Sequence, residues 1–594
     1  MNQPSIEHES AAPPAPEATA AGTGPAWAKP DLQAFGLLAV LAGLLILPEL
    51  SIKSIWGSEG RWAVISREMI VSGDYLTPTM NAQPYYDKPL LSYWAIVPFA
   101  WVGGSFKEGT ARLPSALGGI ALVLLSAAIA RRLFGLRAGA ITGALLATSA
   151  MFVFWSRTAS ADLLNMLAVW VVLWCFVAGG VDGHRGWLIG LYSAAAVGSF
   201  LKGPVAAVAA FAAVGFYSAG GVILEMRRET LGWVAARRAV AREFKWLLSP
   251  GGAIGVAAGA FVFAVLLAGP CLLAGDWGLA RLMWKENVTR FFEPFDHVEP
   301  VWIYLQHSAT YFAPWSILFV AALWDSRNWP AGRSRRLVLL FAAGIFAFFT
   351  ASGSRRSYYI LPLVPAMAII TGNALARWTD PELRGVALPV TVAAGATAAL
   401  LAAATVAVVY VYARPDLVPR APGQITIAVL IGACVLGSAG ALTARRPAWG
   451  LVLLVGAAFV AEFWAFTAGT AAAEKERTLR PFGLEAARIL AEVPDDRVAL
   501  YRTCKPPLLF YLERKGLRVV RDRWEARRFL AGGGGRHVFV ERRYALGGEG
   551  ARIETVLAEK YDPNDREDSR DALRLIRRRT ARGGEGPEGG SEDE

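Results

Sequence analysis

Long apolar runs alternate with short polar connections over most of the chain's 594 residues. The runs reach about 20 residues, which is the length a helix needs to cross a bilayer. We therefore predict an α-helical polytopic membrane protein with about thirteen transmembrane helices. The predicted spans are 33–52, 112–130, 138–155, 163–180, 186–201, 204–223, 252–274, 308–324, 336–352, 359–376, 386–411, 424–443 and 448–470.

Basic residues are concentrated in alternate connections between these spans. The clusters are Arg131, Arg132 and Arg137; Arg227, Arg228, Arg237, Arg238, Arg242 and Lys245; Arg333, Arg335 and Arg336; and Arg445 and Arg446. Positively charged loops stay on the cytoplasmic side, so the N-terminus is predicted to be cytoplasmic and the tail after residue 470 extracytoplasmic. The net charge of +12 follows from this topology and does not indicate a nucleic-acid partner.

The ends of the chain differ in composition from its centre. Residues 1–30 are rich in Ala, Pro and Glu, which predicts a disordered cytoplasmic tail. Residues 31–470 form the predicted transmembrane domain, with an outer loop at 53–111. Residues 471–582 alternate strand-like and helix-like segments, which predicts a small extracytoplasmic α/β domain, and 583–594 is a predicted disordered tail. Strands are predicted at 498–501, 517–520 and 537–540, and helices at 484–492, 507–513 and 524–530.

The outer loop concentrates ionisable residues in a chain that is otherwise apolar. The pattern from Arg61 to Ile70 predicts an amphipathic helix lying on the membrane surface. Just before it, Ser58 and Glu59 have two interpretations. Ser58 caps the helix and Glu59 offsets its dipole, or Glu59 is a general base at the membrane boundary.

Cations from separate loops are predicted to lie on the outer face, against the usual trend. Such cations need a partner, and the phosphate of a lipid is the natural one. They are Lys88, Lys202, Arg290, Arg355 and Arg356. Asp162, at the outer end of another span, is a second candidate base. Together these groups suit glycosyl transfer by direct displacement with inversion, with the phosphate as the leaving group.

Five ordered motifs then show a family resemblance. They are SEGRWAVISREMIVSGDYLTPTMNAQPYYDKPLLSYW, ARLPSAL, LKGPV, ENVTRF and SGSRRSYYILPLVP. The chain resembles the polytopic glycosyltransferases of the protein O-mannosyltransferase and lipid A aminoarabinose transferase superfamily. The resemblance implies a GT-C membrane fold and a polyprenyl-phosphate sugar donor.

The resemblance also implies roles for single residues. Asp87 and Lys88 match the family's acid–lysine pair, which contacts donor phosphate and, in some members, a metal. Arg355 and Tyr359 match its phosphate-contacting Lys or Arg and its Tyr.

Two positions depart from the family pattern. Ser58 stands where relatives usually have the Asp base, so either Glu59 or Asp162 takes that role or the reaction uses no strong base. Asn287 stands where a His often follows Glu, so His297 is the remaining nearby candidate, with Asp87, for a divalent metal.

The expected function is transfer of a sugar from a polyprenyl-phosphate donor to a lipid, glycan or protein acceptor of the cell envelope. The expected place is the outer, periplasmic face of the inner membrane, and lipid A modification is one form of this activity. A flippase of lipid-linked sugars is one alternative, although no internal repeat is seen. A catalytically inactive membrane scaffold is the other.

Overall fold

The computed structural model describes most of the chain. The described residues are 27–86, 88–103, 106–228, 233–285, 289, 299–382, 388–412, 422–475, 479–532, 535–544, 546, 553–560 and 570–578. Most of them are helical, which confirms the predicted fold class. The predicted disordered tails lie largely outside these residues.

The helices run in chain order from α1 to α24. They are α1 Lys29–Ile46, α2 Glu59–Ser72, α3 Leu91–Trp94, α4 Val97–Gly103, α5 Glu108–Phe134, α6 Leu136–Ala147, α7 Ala150–Ser156, α8 Asp162–Phe176, α9 Trp187–Lys202, α10 Val205–Arg228, α11 Trp233–Glu243, α12 Pro250–Ala274, α13 Gly278–Trp284, α14 Ile303–Tyr311, α15 Ser316–Asp325, α16 Arg333–Ala351, α17 Val364–Trp378, α18 Leu388–Tyr412, α19 Gln424–Thr443, α20 Pro447–Trp464, α21 Thr470–Glu474, α22 Leu479–Ile489, α23 Pro506–Leu512 and α24 Arg523–Ala531.

Fewer helices have membrane-spanning length than the apolar pattern predicts. Ten helical segments of the described residues are long and apolar enough to cross a bilayer, and α6 with α7 makes an eleventh if that bent pair is one span. The ten correspond to ten of the thirteen predicted spans.

The remaining three predicted spans are broken or short. The span predicted at 138–155 is the pair α6 and α7, whose axes differ by 69°. The span predicted at 186–201 is α9, which has 16 residues. The span predicted at 308–324 is interrupted around Pro314, between α14 and α15, because proline has no N–H to continue a helix.

Helix α2 occupies the predicted position but not the predicted environment. Residues on all sides of it are buried, among them Trp62, Val64 and Glu68, so it is not an amphipathic helix on a lipid surface. It packs against α23 of the C-terminal domain. Gly60 allows this contact, since a Cβ there would lie 2.6 Å from the backbone nitrogen of Pro507.

Hydrogen bonds fasten the outer loop to the C-terminal domain. Arg67 donates to the carbonyls of Leu509 and Phe510, at 3.0 and 2.9 Å, and so satisfies the last turn of α23. Asn81, in the turn between β1 (Thr79–Met80) and β2 (Gln83–Pro84), exchanges two hydrogen bonds with the backbone of Leu517. The outer loop and the C-terminal domain therefore form one rigid cap on the helical bundle.

The C-terminal domain is built on a five-stranded sheet. Its strands are β3 Val498–Tyr501, β4 Arg518–Val520, β5 His537–Glu541, β6 Ile553–Ala558 and β7 Leu573–Arg578. Their order is β4-β3-β5-β7-β6, with β3 parallel to β4 and β5 and with β7 antiparallel to β5 and β6. The three predicted strands are confirmed, and β6 and β7 were not predicted.

Candidate active site

The first element of the site is an ion pair between two antiparallel helices. Asp162 is the first residue of α8 and Lys202 is the last residue of α9, so both charges complement their helix dipoles. The ammonium of Lys202 donates to Oδ1 of Asp162. Both side chains are largely buried, since 8% of the Asp162 side chain and 15% of the Lys202 side chain are exposed. Among the described residues, Oδ2 of Asp162 accepts no hydrogen bond.

Aromatic rings surround this pair. The Lys202 ammonium lies 4.5 Å from the ring centre of Tyr359 and 5.0 Å from that of Tyr358. Trp155, at the end of α7, packs on Tyr358 with ring centres 4.8 Å apart. Ring faces attract a cation but replace few of its hydrogen bonds, so the ammonium keeps N–H donors for another ligand.

Two arginines precede the tyrosines. Arg356 donates to the Tyr358 hydroxyl at 3.0 Å, which brings its guanidinium to the ring that also faces Lys202. Arg355 instead donates to the backbone carbonyls of Glu299, at 2.7 Å, and Thr350, at 3.2 Å. Asp162, Lys202, Arg356, Tyr358 and Tyr359 therefore form one cluster, which we call the Asp162 cluster.

Glu59 forms a second buried ion pair. Arg112 of α5 donates to both carboxylate oxygens, at 2.9 and 2.7 Å, and both side chains are 1% exposed. The backbone N–H of Ala159 donates to Oε1 at 2.7 Å. Ala159 is three residues before Asp162, so Glu59 holds the turn that leads into α8. Ser58 makes no side-chain capping bond, so its predicted capping role is wrong.

Lys88 lies on the same side of the molecule, in the segment between β2 and α3. Two residues earlier, the Tyr86 hydroxyl donates to Asp276 at 2.7 Å and fastens this segment to the turn after α12. Burial and the Asp276 carboxylate raise the pKa of Tyr86 to about 12, and the same hydrogen bond lowers the pKa of Asp276. Helix α3, just after Lys88, packs against α9, the helix that ends at Lys202.

Three predicted site residues lie outside the described residues. They are Asp87, Arg290 and His297. Their roles in phosphate and metal binding stay predictions. Within the described part of the chain, no group of three or more His, Cys, Asp or Glu side chains could hold a metal ion.

Sequence reasoning missed two members of this arrangement. Arg112 lies inside the motif ARLPSAL, and a buried arginine at the edge of an apolar run needs a carboxylate. That signal indicates a carboxylate partner for Arg112, and the fold identifies this partner as Glu59. Tyr358 directly precedes the predicted Tyr359, but only the fold shows that both rings face Lys202.

The family described as dolichyl-phosphate-mannose-protein mannosyltransferase matches residues 87–241. The structure of ArnT from Cupriavidus metallidurans bound to undecaprenyl phosphate superimposes with a TM-score of 0.67 at 21% identity, covering 92% of this chain and 98% of that one. The chain thus has the fold of a GT-C membrane protein.

Curated relatives narrow the resemblance within that class. An undecaprenyl phosphate-alpha-4-amino-4-deoxy-L-arabinose arabinosyl transferase from Pseudomonas paraeruginosa is 28% identical over 58% of this chain and 60% of its own length. A protein of the same name, numbered 2, from Sodalis glossinidius is 29% identical over 71% of this chain and 76% of its own length. The match thus spans about three fifths of the first relative. The predicted superfamily resemblance is confirmed.

Proposed function

We propose that the chain is a membrane glycosyltransferase that moves a sugar from a polyprenyl-phosphate donor to an acceptor hydroxyl or similar nucleophile. The observation that carries this proposal is the Asp162 cluster, in which a carboxylate lies beside a buried ammonium and has one oxygen, Oδ2, that accepts no hydrogen bond from the described residues. Relatives named as undecaprenyl-phosphate aminoarabinose transferases support undecaprenyl phosphate as the carrier. The acceptor is a lipid, a glycan or a protein of the cell envelope.

In this proposal Asp162 is the general base, and Glu59 is a positioning residue. Oδ2 of Asp162 takes the proton of the acceptor as the acceptor attacks the anomeric carbon of the donor sugar. Glu59 accepts three hydrogen bonds of 2.9 Å or less and is almost fully buried, so it has no access to an acceptor. It acts through Ala159 on the turn that sets the start of α8.

The cations complete the reaction by stabilising the leaving group. As the new bond forms, the bond between the anomeric carbon and the phosphate oxygen breaks, and its electron pair goes to the phosphate. Lys202 and Arg356, with Lys88 from the neighbouring loop, neutralise the charge that develops there. Attack opposite to the leaving phosphate inverts the anomeric configuration.

The reaction is assigned to the outer face of the inner membrane. The Asp162 cluster lies at the membrane end that carries α2 and the C-terminal domain, whereas the arginine clusters at 131–137 and 333–336 lie at the other end. Basic loops mark the cytoplasmic side, which supports an extracytoplasmic site.

The test is sugar transfer in vesicles that contain the purified chain and a polyprenyl-phosphate sugar. Lys202→Gln and Lys88→Ala are expected to lower the turnover at saturating acceptor. Arg132→Gln is the matched control, because Arg132 forms an ion pair with Asp182 at the opposite membrane end. Full turnover in both lysine variants would contradict the phosphate role. Donor translocation across the vesicle without transfer would instead favour the flippase alternative.

A further inference from the structure

A second charged cavity lies at the membrane end opposite to the Asp162 cluster. It has a volume of about 590 Å³ and is bounded by the end of α5, the start of α6, the turn before α16 and the end of α17. No residue of the Asp162 cluster lines this cavity. The proposed sugar transfer therefore makes no use of this cavity.

Arginines dominate the walls of the cavity. Arg137, Arg333, Arg335 and Arg377 line the cavity together with one carboxylate, Asp380, which lies 3.5 Å from Arg137. Backbone carbonyls accept one hydrogen bond each from the other three, at 3.2 to 3.4 Å. A guanidinium has five N–H donors, so among the described residues each of these arginines has more donors than acceptors.

Two helix N-termini also open into this cavity. Gly135 is the N-cap of α6 and Gly332 is the N-cap of α16, and neither helix has a side-chain capping bond. Uncapped first-turn N–H groups and the positive helix end attract anions. The C-terminal ends of α5 and α17 reach the cavity as well, and Arg377 in the last turn of α17 offsets the negative end of that helix.

The chain next to the cavity has the composition of a membrane boundary. Trp324, at the end of α15 and close in sequence to the cavity residue Trp329, is 57% exposed, and the Arg327 guanidinium lies 3.7 Å above its ring. Exposed tryptophan beside arginine is typical of the boundary between hydrocarbon and water. Basic cavities between helices at this boundary suit anionic head groups on the cytoplasmic side.

We propose that this cavity binds the phosphate group of an anionic phospholipid. The ligand chemistry is a phosphate held by guanidinium groups and by two helix N-termini. Inorganic phosphate shares that chemistry, so the experiment separates the lipid from the free ion.

Gly332→Asp is the decisive variant. A Cβ at residue 332 would have no atom within 4 Å, and the backbone φ of −175° is extended, so an aspartate fits there. It would cap α16 and stabilise it while placing a negative charge in the cavity. A purely structural role for this turn predicts no loss of lipid from a chain stabilised in this way.

The experiment is native mass spectrometry of the full chain taken from vesicles of phosphatidylcholine with or without phosphatidylglycerol. Wild type and the control Arg446→Gln, which removes an exposed arginine outside the cavity, are expected to retain phosphatidylglycerol. Gly332→Asp is expected to reduce retention about tenfold, and Asp380→Asn to increase it. Thermal unfolding of each variant reports whether the fold is intact.

Three results would contradict the binding of a lipid phosphate in this cavity. Equal retention of phosphatidylglycerol by wild type and Gly332→Asp would overturn the proposal. Protection of wild type, but not of Gly332→Asp, by inorganic phosphate alone would keep the phosphate site and overturn its assignment to a lipid. Equal losses in Gly332→Asp and Arg446→Gln would show that only the overall charge of this membrane face matters.

Discussion

Two buried ion pairs, Glu59–Arg112 and Asp162–Lys202, lie at the same membrane end. They differ in the number of hydrogen bonds that each carboxylate accepts. Both carboxylates lie in the first turn of a helix. Glu59 receives two bonds from a forked guanidinium and two from the backbone N–H groups of Ala159 and Trp56. Asp162 receives one from an ammonium among the described residues.

The difference shows that burial alone does not identify a base. A buried carboxylate whose two oxygens both accept hydrogen bonds has a structural role, because its charge holds the neighbouring helices in place. A buried carboxylate with a free oxygen, beside a cation and aromatic walls, can take a proton from a bound ligand. Variants of the two pairs distinguish a structural carboxylate from a catalytic base.

The largest effect is expected from removing the proposed base. Asp162→Asn keeps the shape and an acceptor for Lys202 but loses the proton acceptor, so sugar transfer should fall by about 10²- to 10⁴-fold. The measurement is turnover in vesicles at saturating donor, with thermal unfolding as the check on the fold. Asp182→Asn, at the opposite end, is the matched control. Wild-type turnover in Asp162→Asn would erase the distinction between the two pairs.

The next largest effect concerns stability. Glu59→Gln leaves Arg112 buried without its counter-charge, which should cost about 3–5 kcal/mol in the free energy of unfolding. Turnover of the folded fraction, measured well below the unfolding temperature, should fall far less than in Asp162→Asn. The double variant Glu59→Gln with Arg112→Met should regain part of the stability. If turnover collapses while stability is unchanged, Glu59 is the base.

A smaller effect should follow from moving the start of α2 without changing a charge. Gly60→Ala places a methyl group 2.6 Å from the Pro507 nitrogen, so α2 must shift against α23. Overpacking of this kind costs about 1–3 kcal/mol of unfolding free energy. Thermal unfolding measures it, and Gly36→Ala, where a methyl group would meet nothing within 4 Å, is the control. Equal stability of the two variants would argue against the rigid cap.

The smallest effect should come from the segment that carries Lys88. Tyr86→Phe removes the hydrogen bond to Asp276, worth about 1 kcal/mol of stability. Because the pKa of Tyr86 is raised from 10.0 to about 12, the folded state holds this proton more tightly than the unfolded state. The contribution is therefore complete below pH 10 and is lost as the pH rises towards about 12.

Asp276, the acceptor of the same hydrogen bond, gives the stability the opposite dependence on pH. The pKa of Asp276 is lowered from 3.8, so its contribution is present above that pH and is lost as the pH falls. Thermal unfolding of wild type should show both losses, and Tyr86→Phe should lack the alkaline one. Identical alkaline profiles for the two chains would show that Tyr86 does not fasten this loop.

Much of the architecture was predictable because it depends on local patterns. Ten of the predicted spans became membrane-length helices, since a run of apolar residues in lipid has to satisfy its own backbone. The break at 147–150 was less predictable, because it carries no proline and depends on the neighbouring helices. Strands β6 and β7 were missed because β7 pairs antiparallel with β5 and β6 pairs with β7, and both are contacts between segments far apart in the chain.

For the candidate site, residue types alone predicted the participants and the tertiary structure decided their roles. The sequence by itself determined that carboxylates, lysines and arginines gather at one membrane end, because charges in an apolar chain are confined to the ends of spans. Only the fold paired Arg112 with Glu59 and left Oδ2 of Asp162, beside Lys202, without a hydrogen bond from the described residues. Pairing depends on which helix ends meet in space, and neither composition nor spacing encodes that distance.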